Sequence, residues 1–217
     1  MKQLFKSIIT FCILANSQWQ MANCQNIGTN QAMNILQHLS KNFNCKAGIT
    51  MDIEMNGKDY GTTKLKLMKN NDKSKMIENN EETYFFNQLM WTCNGNNHNV
   101  VMSNKNQDET KLMTQMALLP STLKGGYSSI GNNAFSIGNN KFTFTTNQNK
   151  ITYHLNQGKY DVSFTVDALT KDIEKMNISH GGKQVDLTYK NITEGCGYND
   201  VSFNTSDYSD YKYIDKR

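Results

Sequence analysis

The hydrophobic pattern of this chain alternates between two periods. Ala32, Ile35, Leu36, Leu39 and Phe43 recur at helical spacing behind Thr29 or Asn30 as a cap, which predicts an amphipathic helix whose single apolar stripe lies on a sheet. His38 falls off that stripe, on the solvent side. The period then drops to two. Ile49, Met51, Ile53 and Met55 alternate with Thr50, Asp52 and Glu54, and Leu65 and Leu67 alternate with Lys64 and Lys66, which predicts strands with one buried and one wet face. Short turns at Asn56-Gly57, Asn70-Asn71-Asp72 and Asn79-Asn80-Glu81 make consecutive strands neighbours. Thr83–Met102 reads as one hairpin of two strands about Asn94-Gly95-Asn96-Asn97, with Trp91 near the turn.

From Gln107 to Gly126 the period returns to that of a helix. Asp108 and Glu109 suit a helix start, Leu112, Met113, Met116 and Leu119 follow at helical spacing, Pro120 interrupts, and Gly125-Gly126 closes the segment. One or two short helices are therefore expected between strands. Alternation then resumes through Phe142 and Phe144, Tyr153, Val162 and Phe164, Ile173 and Ile178, and Leu187 and Tyr189, with polar or glycine turns between. The repeated pentapeptides Ser129–Asn133 and Ser136–Asn140 predict two similar turns. Val201 and Phe203 are expected to add a last edge strand, and residues 205–217 a flexible tail. The fold class is α+β and mainly antiparallel β. A large sheet of this kind curls and must cover its apolar face, and only two helical segments are at hand, which leaves a hollow suited to alkyl chains.

Composition narrows the setting. The 217 residues suit one domain, expected over 24–204. The net charge of +4 is spread along the strands, so no nucleic-acid partner is expected. Lys2 and Lys6, the apolar run Ile8–Ala15 and the small residues of Ala15-Asn16-Ser17 form a signal peptide over 1–17, which implies export. Met21-Ala22-Asn23-Cys24 loosely matches a lipidation motif, the alternative start. Past the leader, Cys24, Cys45, Cys93 and Cys196 make an even number, so one or two disulfides are expected with the pairing open. His38, His98, His154 and His180 are scattered, and no metal, nucleophile-elbow or phosphate-loop motif is present. Binding rather than catalysis is expected, with no catalytic residue, cofactor or metal.

The order of parts resembles a known family. An exported chain with an N-terminal helix, then G-x-x-x-L-x-L-x-K over Gly61–Lys69, L-x-W-T-x-N over Leu89–Asn94, N-x-V over Asn99–Val101, a helical insert and a run of hairpins is similar to the periplasmic outer-membrane lipoprotein carriers, the LolA-type proteins. The resemblance spans roughly Asn30 to Thr193. It implies an unclosed half-barrel of about eleven strands with short helices as a lid over an apolar cavity. It further implies a periplasmic monomer that takes triacylated lipoproteins from an inner-membrane ABC transporter, shields their acyl chains and hands them to an outer-membrane acceptor. Trp91 matches the family's hairpin tryptophan. Lys69-Asn70 stands where the family often has Arg-Pro, so Lys69 takes the place of an arginine linked to lid closure and transfer; lysine keeps the charge and loses the planar fork of donors. Candidate cavity and lid residues are Ile49, Met51, Ile53, Leu65, Leu67, Trp91, Leu112, Met113, Met116, Phe142, Phe144 and Phe164. The alternative role is a lipid-anchored accessory, acceptor or sensor at the outer membrane, which requires a lipidated Cys24.

Overall fold

The structure is a computed structural model, and it describes residues 27–58 and 61–217, with the side chain of Gln157 outside that description. The expected leader over 1–17 and Cys24 lie outside the described residues.

Helix α1 (Thr29–Phe43) precedes a meander of β1 (Ile49–Gly57), β2 (Gly61–Asn70), β3 (Lys73–Glu78), β4 (Glu81–Phe86), β5 (Leu89–Asn94) and β6 (Asn99–Asn104). The insert holds α2 (Glu109–Gln115) and α3 (Leu119–Thr122), joined by a 3-10 turn over Met116–Leu118. A second meander follows: β7 (Tyr127–Gly131), β8 (Ala134–Ile137), β9 (Asn140–Asn147), β10 (Lys150–Gln157), β11 (Tyr160–Asp167), β12 (Ile173–His180) and β13 (Lys183–Glu194). The chain ends on β14 (Lys212–Asp215). Among the described residues, fourteen strands form one sheet in the order β14-β6-β5-β4-β3-β2-β1-β13-β12-β11-β10-β9-β8-β7. The outer strands β14 and β7 do not pair, so the sheet is unclosed. The two meanders meet at a seam, where β1 pairs antiparallel with β13.

Period-two alternation places the apolar residues on one face. Met55 lies opposite Leu187, Leu187 opposite Met176, Met176 opposite Phe164, Phe164 opposite Tyr153 and Tyr153 opposite Phe144, a single row across six strands. Cross-strand neighbours of this kind are the contacts that stabilise a sheet. The helices cover that face. The α1 stripe is buried as the spacing predicts, and the Tyr153 hydroxyl donates to the Ala32 carbonyl at 2.8 Å, which fixes α1 over the second meander. The helix cap differs from expectation: Gly28 is the N-cap, while the Thr29 hydroxyl donates to the Gly131 carbonyl instead.

Three further expectations are corrected. Thr83–Met102 contributes to three strands, not two, because Asn87 adopts a left-handed conformation (φ 52°) and so permits a tight turn between Phe86 and Leu89. Val201 ends a 3-10 turn rather than lying in an edge strand, and Phe203 stacks on Trp91 at 5.4 Å. The segment expected to be a flexible tail is ordered: Thr205–Tyr208 forms a 3-10 turn and β14 pairs in parallel with β6. Tyr208 anchors it, because its ring is buried in a second, smaller core with Tyr84, Cys93 and Val100 on the outer face of the sheet.

The expected disulfides are also corrected. Cys45, Cys93 and Cys196 are free thiols. Cys45 donates to the Gly48 carbonyl and Cys196 to the adjacent Gly197 carbonyl, whereas Cys93 lies in the outer-face core, where burial pushes its pKa up to about 11.

Glu82 ties the outer-face core together. Its Oε2 accepts from the Tyr208 hydroxyl at 2.5 Å and the Tyr84 hydroxyl at 2.8 Å, and pairs with Lys75 Nζ at 2.9 Å. Burial acts to raise its pKa, but these three donors outweigh it and hold the carboxyl below its ordinary value. The charged form therefore contributes stability above the unfolded pKa of about 4.3, and that contribution is lost as pH falls through the lower folded value. Glu82→Gln is expected to lower the urea midpoint at pH 7 and to approach the parent below about pH 3, a comparison that denaturation across pH checks directly.

Candidate ligand-binding site

Nine of the predicted cavity residues, Ile49, Met51, Ile53, Leu65, Leu67, Met113, Phe142, Phe144 and Phe164, are at most 4% exposed and belong to the main core beneath the helices. They form no open wall. Trp91 is placed differently from expectation: odd-numbered positions of β5 face outward, and its indole packs in the outer-face core. Leu112 and Met116 are half-buried, and both line an open cleft of about 490 Å³.

This cleft lies where the α2–α3 insert overhangs the β2–β3 turn. Leu112, Met116, Leu118 and Leu119 give it an apolar side, and Asn44, Asn71, Ser74, Gln115, Ser121 and Thr122 contribute polar edges. Four lysines reach it: Lys69, Lys73, Lys105 and Lys124, against one acid, Asp72. Lys69 lines this cleft, and its Nζ donates to Asn44 Oδ1 at 3.3 Å. Burial, and then the nearby Lys124 cation, lower the Lys69 pKa; burial alone lowers that of Lys105. The other three lysines do not stand out in the sequence. Their signal is positional: Lys69 and Lys73 flank one turn, and Lys105 and Lys124 flank the helical insert.

The junction behind Lys69 is tightly built. Asn70, which stands where the family often has proline, is buried and donates from Nδ2 to the Cys196 carbonyl at 2.6 Å. Gly48 sits in the same knot at φ +73°, where a Cβ would meet the Cys196 carbonyl at 2.5 Å and the Lys69 carbonyl at 2.9 Å. Only glycine fits.

Polar bonds hold the insert over the sheet. Asp108 caps α2 by accepting from the Lys111 amide, as its placement predicts. Glu109 meets Lys183 at 3.0 Å, His180 at 3.6 Å and Lys159 at 3.8 Å on the rim of the second meander, and the Lys183 bond leads in holding its carboxyl below the ordinary value. Lys111 meets Glu81 at 2.6 Å on the first meander. Between these ends, the Tyr189 hydroxyl donates to the Ala117 carbonyl and Gln115 donates to Ser74. Ser40 and Asn44 of the α1 end donate to the Leu123 and Ser121 carbonyls, so α1 and the insert form one roof.

Among the described residues no helix is long and apolar enough to cross a membrane, and no group of three or more His, Cys, Asp or Glu side chains could hold a metal ion. No family model and no curated protein matches the chain. Solved structures do. An uncharacterized conserved protein from Thermus thermophilus is similar at a TM-score of 0.48 and 10% identity, over 85% of this chain and 99% of that one. A LolA superfamily protein from Nitrosomonas europaea is similar at 0.45 and 9%, over 81% and 98%, and LprF from Mycobacterium bovis at 0.40 and 13%, over 82% and 100%.

Proposed function

We propose that this protein is an exported carrier that shields the acyl chains of triacylated lipoproteins, receiving them from an inner-membrane ABC transporter and releasing them to an outer-membrane acceptor. The observation that carries the reading is the roof. Three short helices lie on the apolar face of an unclosed sheet, and what fixes the insert at its rim is a set of side-chain hydrogen bonds and ion pairs, not a β ladder. Partly exposed ion pairs are individually weak, so these polar clasps break at low cost, and the apolar face of the insert, with Met113, Leu118 and Leu119, exchanges core contacts for cargo as it lifts.

The interior under the roof suits a variable apolar guest. Met51, Met55, Met76, Met90, Met113 and Met176 are buried in the main core, with Met33 and Met116 at its border. Methionine is unbranched and polarizable, and it repacks around irregular apolar shapes more readily than branched side chains do. In this closed state the interior is filled by the protein's own side chains. Acyl chains enter as the insert lifts, each buried methylene contributing roughly 0.8 kcal/mol. The contacts are non-directional, so a slightly more apolar acceptor suffices to draw the cargo out. The role needs no chemistry from the protein itself.

Native mass spectrometry of the mature protein, purified without detergent from the envelope of its own cell, tests the reading. A one-to-one complex with triacylated lipoproteins is the expected result. Protein that carries no lipoprotein would overturn it, and a diacylated Cys24 at the mature N-terminus would favour the anchored accessory instead.

A further inference from the structure

The cleft under the insert has a charge pattern that acyl-chain shielding does not require. Lys69, Lys73, Lys105 and Lys124 line it, and among the described residues none of the four stands within ion-pair distance of a carboxylate. Five lysines elsewhere, Lys75, Lys111, Lys150, Lys159 and Lys183, are ion-paired, and others such as Lys64 and Lys141 stand alone on open strands; what sets the cleft apart is that four converge on one space with a single acid, Asp72. The partners the cleft lysines do have are neutral. Lys73 donates to Ser202 at 2.9 Å and lies 4.1 Å from the Tyr198 ring centre, and Lys105 lies 5.9 Å from that of Phe85.

Such an arrangement is costly when empty. Like charges converge in a half-buried space, where burial and then the Lys124 cation lower the Lys69 pKa, against a smaller opposing pull from Asp72. An anion between them removes that repulsion and adds attraction. Beside the lysines, Leu112 and Met116 present apolar surface on the same cleft wall. Its volume of about 490 Å³ lies within the range of small-molecule sites.

We propose that this cleft binds a single anionic phospholipid, with its phosphate among Lys69, Lys73, Lys105 and Lys124 and the start of its acyl chain along Leu112 and Met116. A free phosphate would leave the apolar wall unused, and a neutral acyl chain would leave the lysines unmatched. The proposal rests on the chemistry of the cleft and stands independently of the carrier reading.

The test is isothermal titration of the full mature protein with lauroyl lysophosphatidylglycerol, lauroyl lysophosphatidylcholine and inorganic phosphate, with both lipids kept below their micelle concentrations. The two lipids share a chain and differ in net charge. The anionic lipid is expected to bind about tenfold tighter than the zwitterionic one, a difference of about 1.4 kcal/mol. Combined Lys69→Gln and Lys124→Gln should abolish that preference while leaving the weaker zwitterion affinity and the far-ultraviolet circular dichroism unchanged. Methyl chemical shifts of Leu112 and Met116 should move with the anionic lipid. Equal affinities, phosphate binding as tightly as the anionic lipid, or unmoved methyl shifts would each overturn the proposal. Anionic preference in a protein that carries no lipoprotein from the cell would uphold this site and sink the carrier reading. Copurified lipoprotein with equal lipid affinities would do the reverse.

Discussion

Phe135→Ala is expected to destabilise the fold by about 3–5 kcal/mol, the upper end of the range for truncating a single core side chain. Phe135 is fully buried at the centre of an aromatic stack. It lies parallel to Phe142 at 5.3 Å, tilted to Phe144 at 6.1 Å and edge-on to Tyr153 at 6.1 Å. Tyr153 in turn holds α1 through its bond to Ala32. Removing the ring therefore opens a cavity where α1 meets the second meander, and rigid aromatic neighbours refill such space poorly. Urea denaturation measures the effect. A loss under about 2 kcal/mol would mean that α1 sinks into the gap and that its position is adjustable.

The second large effect falls on binding. Met116→Asp is expected to weaken a fluorescent acyl probe at least about tenfold while leaving the sheet folded, because it sets a carboxylate where the chain must lie. Met116 is half-buried, borders the main core and also lines the cleft, so the charge can hydrate in the closed state and is penalised only when apolar cargo arrives. Probe fluorescence gives the affinity, and circular dichroism reports the fold. Unchanged affinity would place the acyl path away from the insert.

Much of the architecture was legible because each strand states its own face. Ile49, Met51, Ile53 and Met55 alternate cleanly, and all four point into the core. The α1 stripe was equally plain, and the two similar turns inferred from the repeated pentapeptides fall between β7 and β8 and between β8 and β9. Tight turns at non-glycine residues were harder to read. Asn87 takes a left-handed conformation that asparagine tolerates without announcing it, so one strand boundary was missed. The tail failed for a different reason. Its Asp, Ser and Lys residues read as solvated, and the buried contacts of Phe203 and Tyr208 depend on partners more than 100 positions earlier in the chain, such as Trp91 and Tyr84.

The site was legible in part. Pattern identifies which residues are apolar and which face they take, but not whether the space between them is open. Hence Leu67 and Phe144 proved to be closed core, while Leu112 and Met116 border a cleft. Trp91 lies on the wrong face for a lining residue because its cross-strand neighbour Tyr84 already faces outward.

The connection between the two meanders has a mechanical meaning. Residues 105–126 leave β6, next to one edge of the sheet, and arrive at β7, the other edge. The insert is therefore strung across the curved sheet like the string of a bow. Coiled as α-helix the string advances about 1.5 Å per residue, whereas drawn out it could reach roughly 75 Å. The length of that string thus limits how far the two ends of the sheet can part, and a turn of α2 or α3 is slack held in reserve.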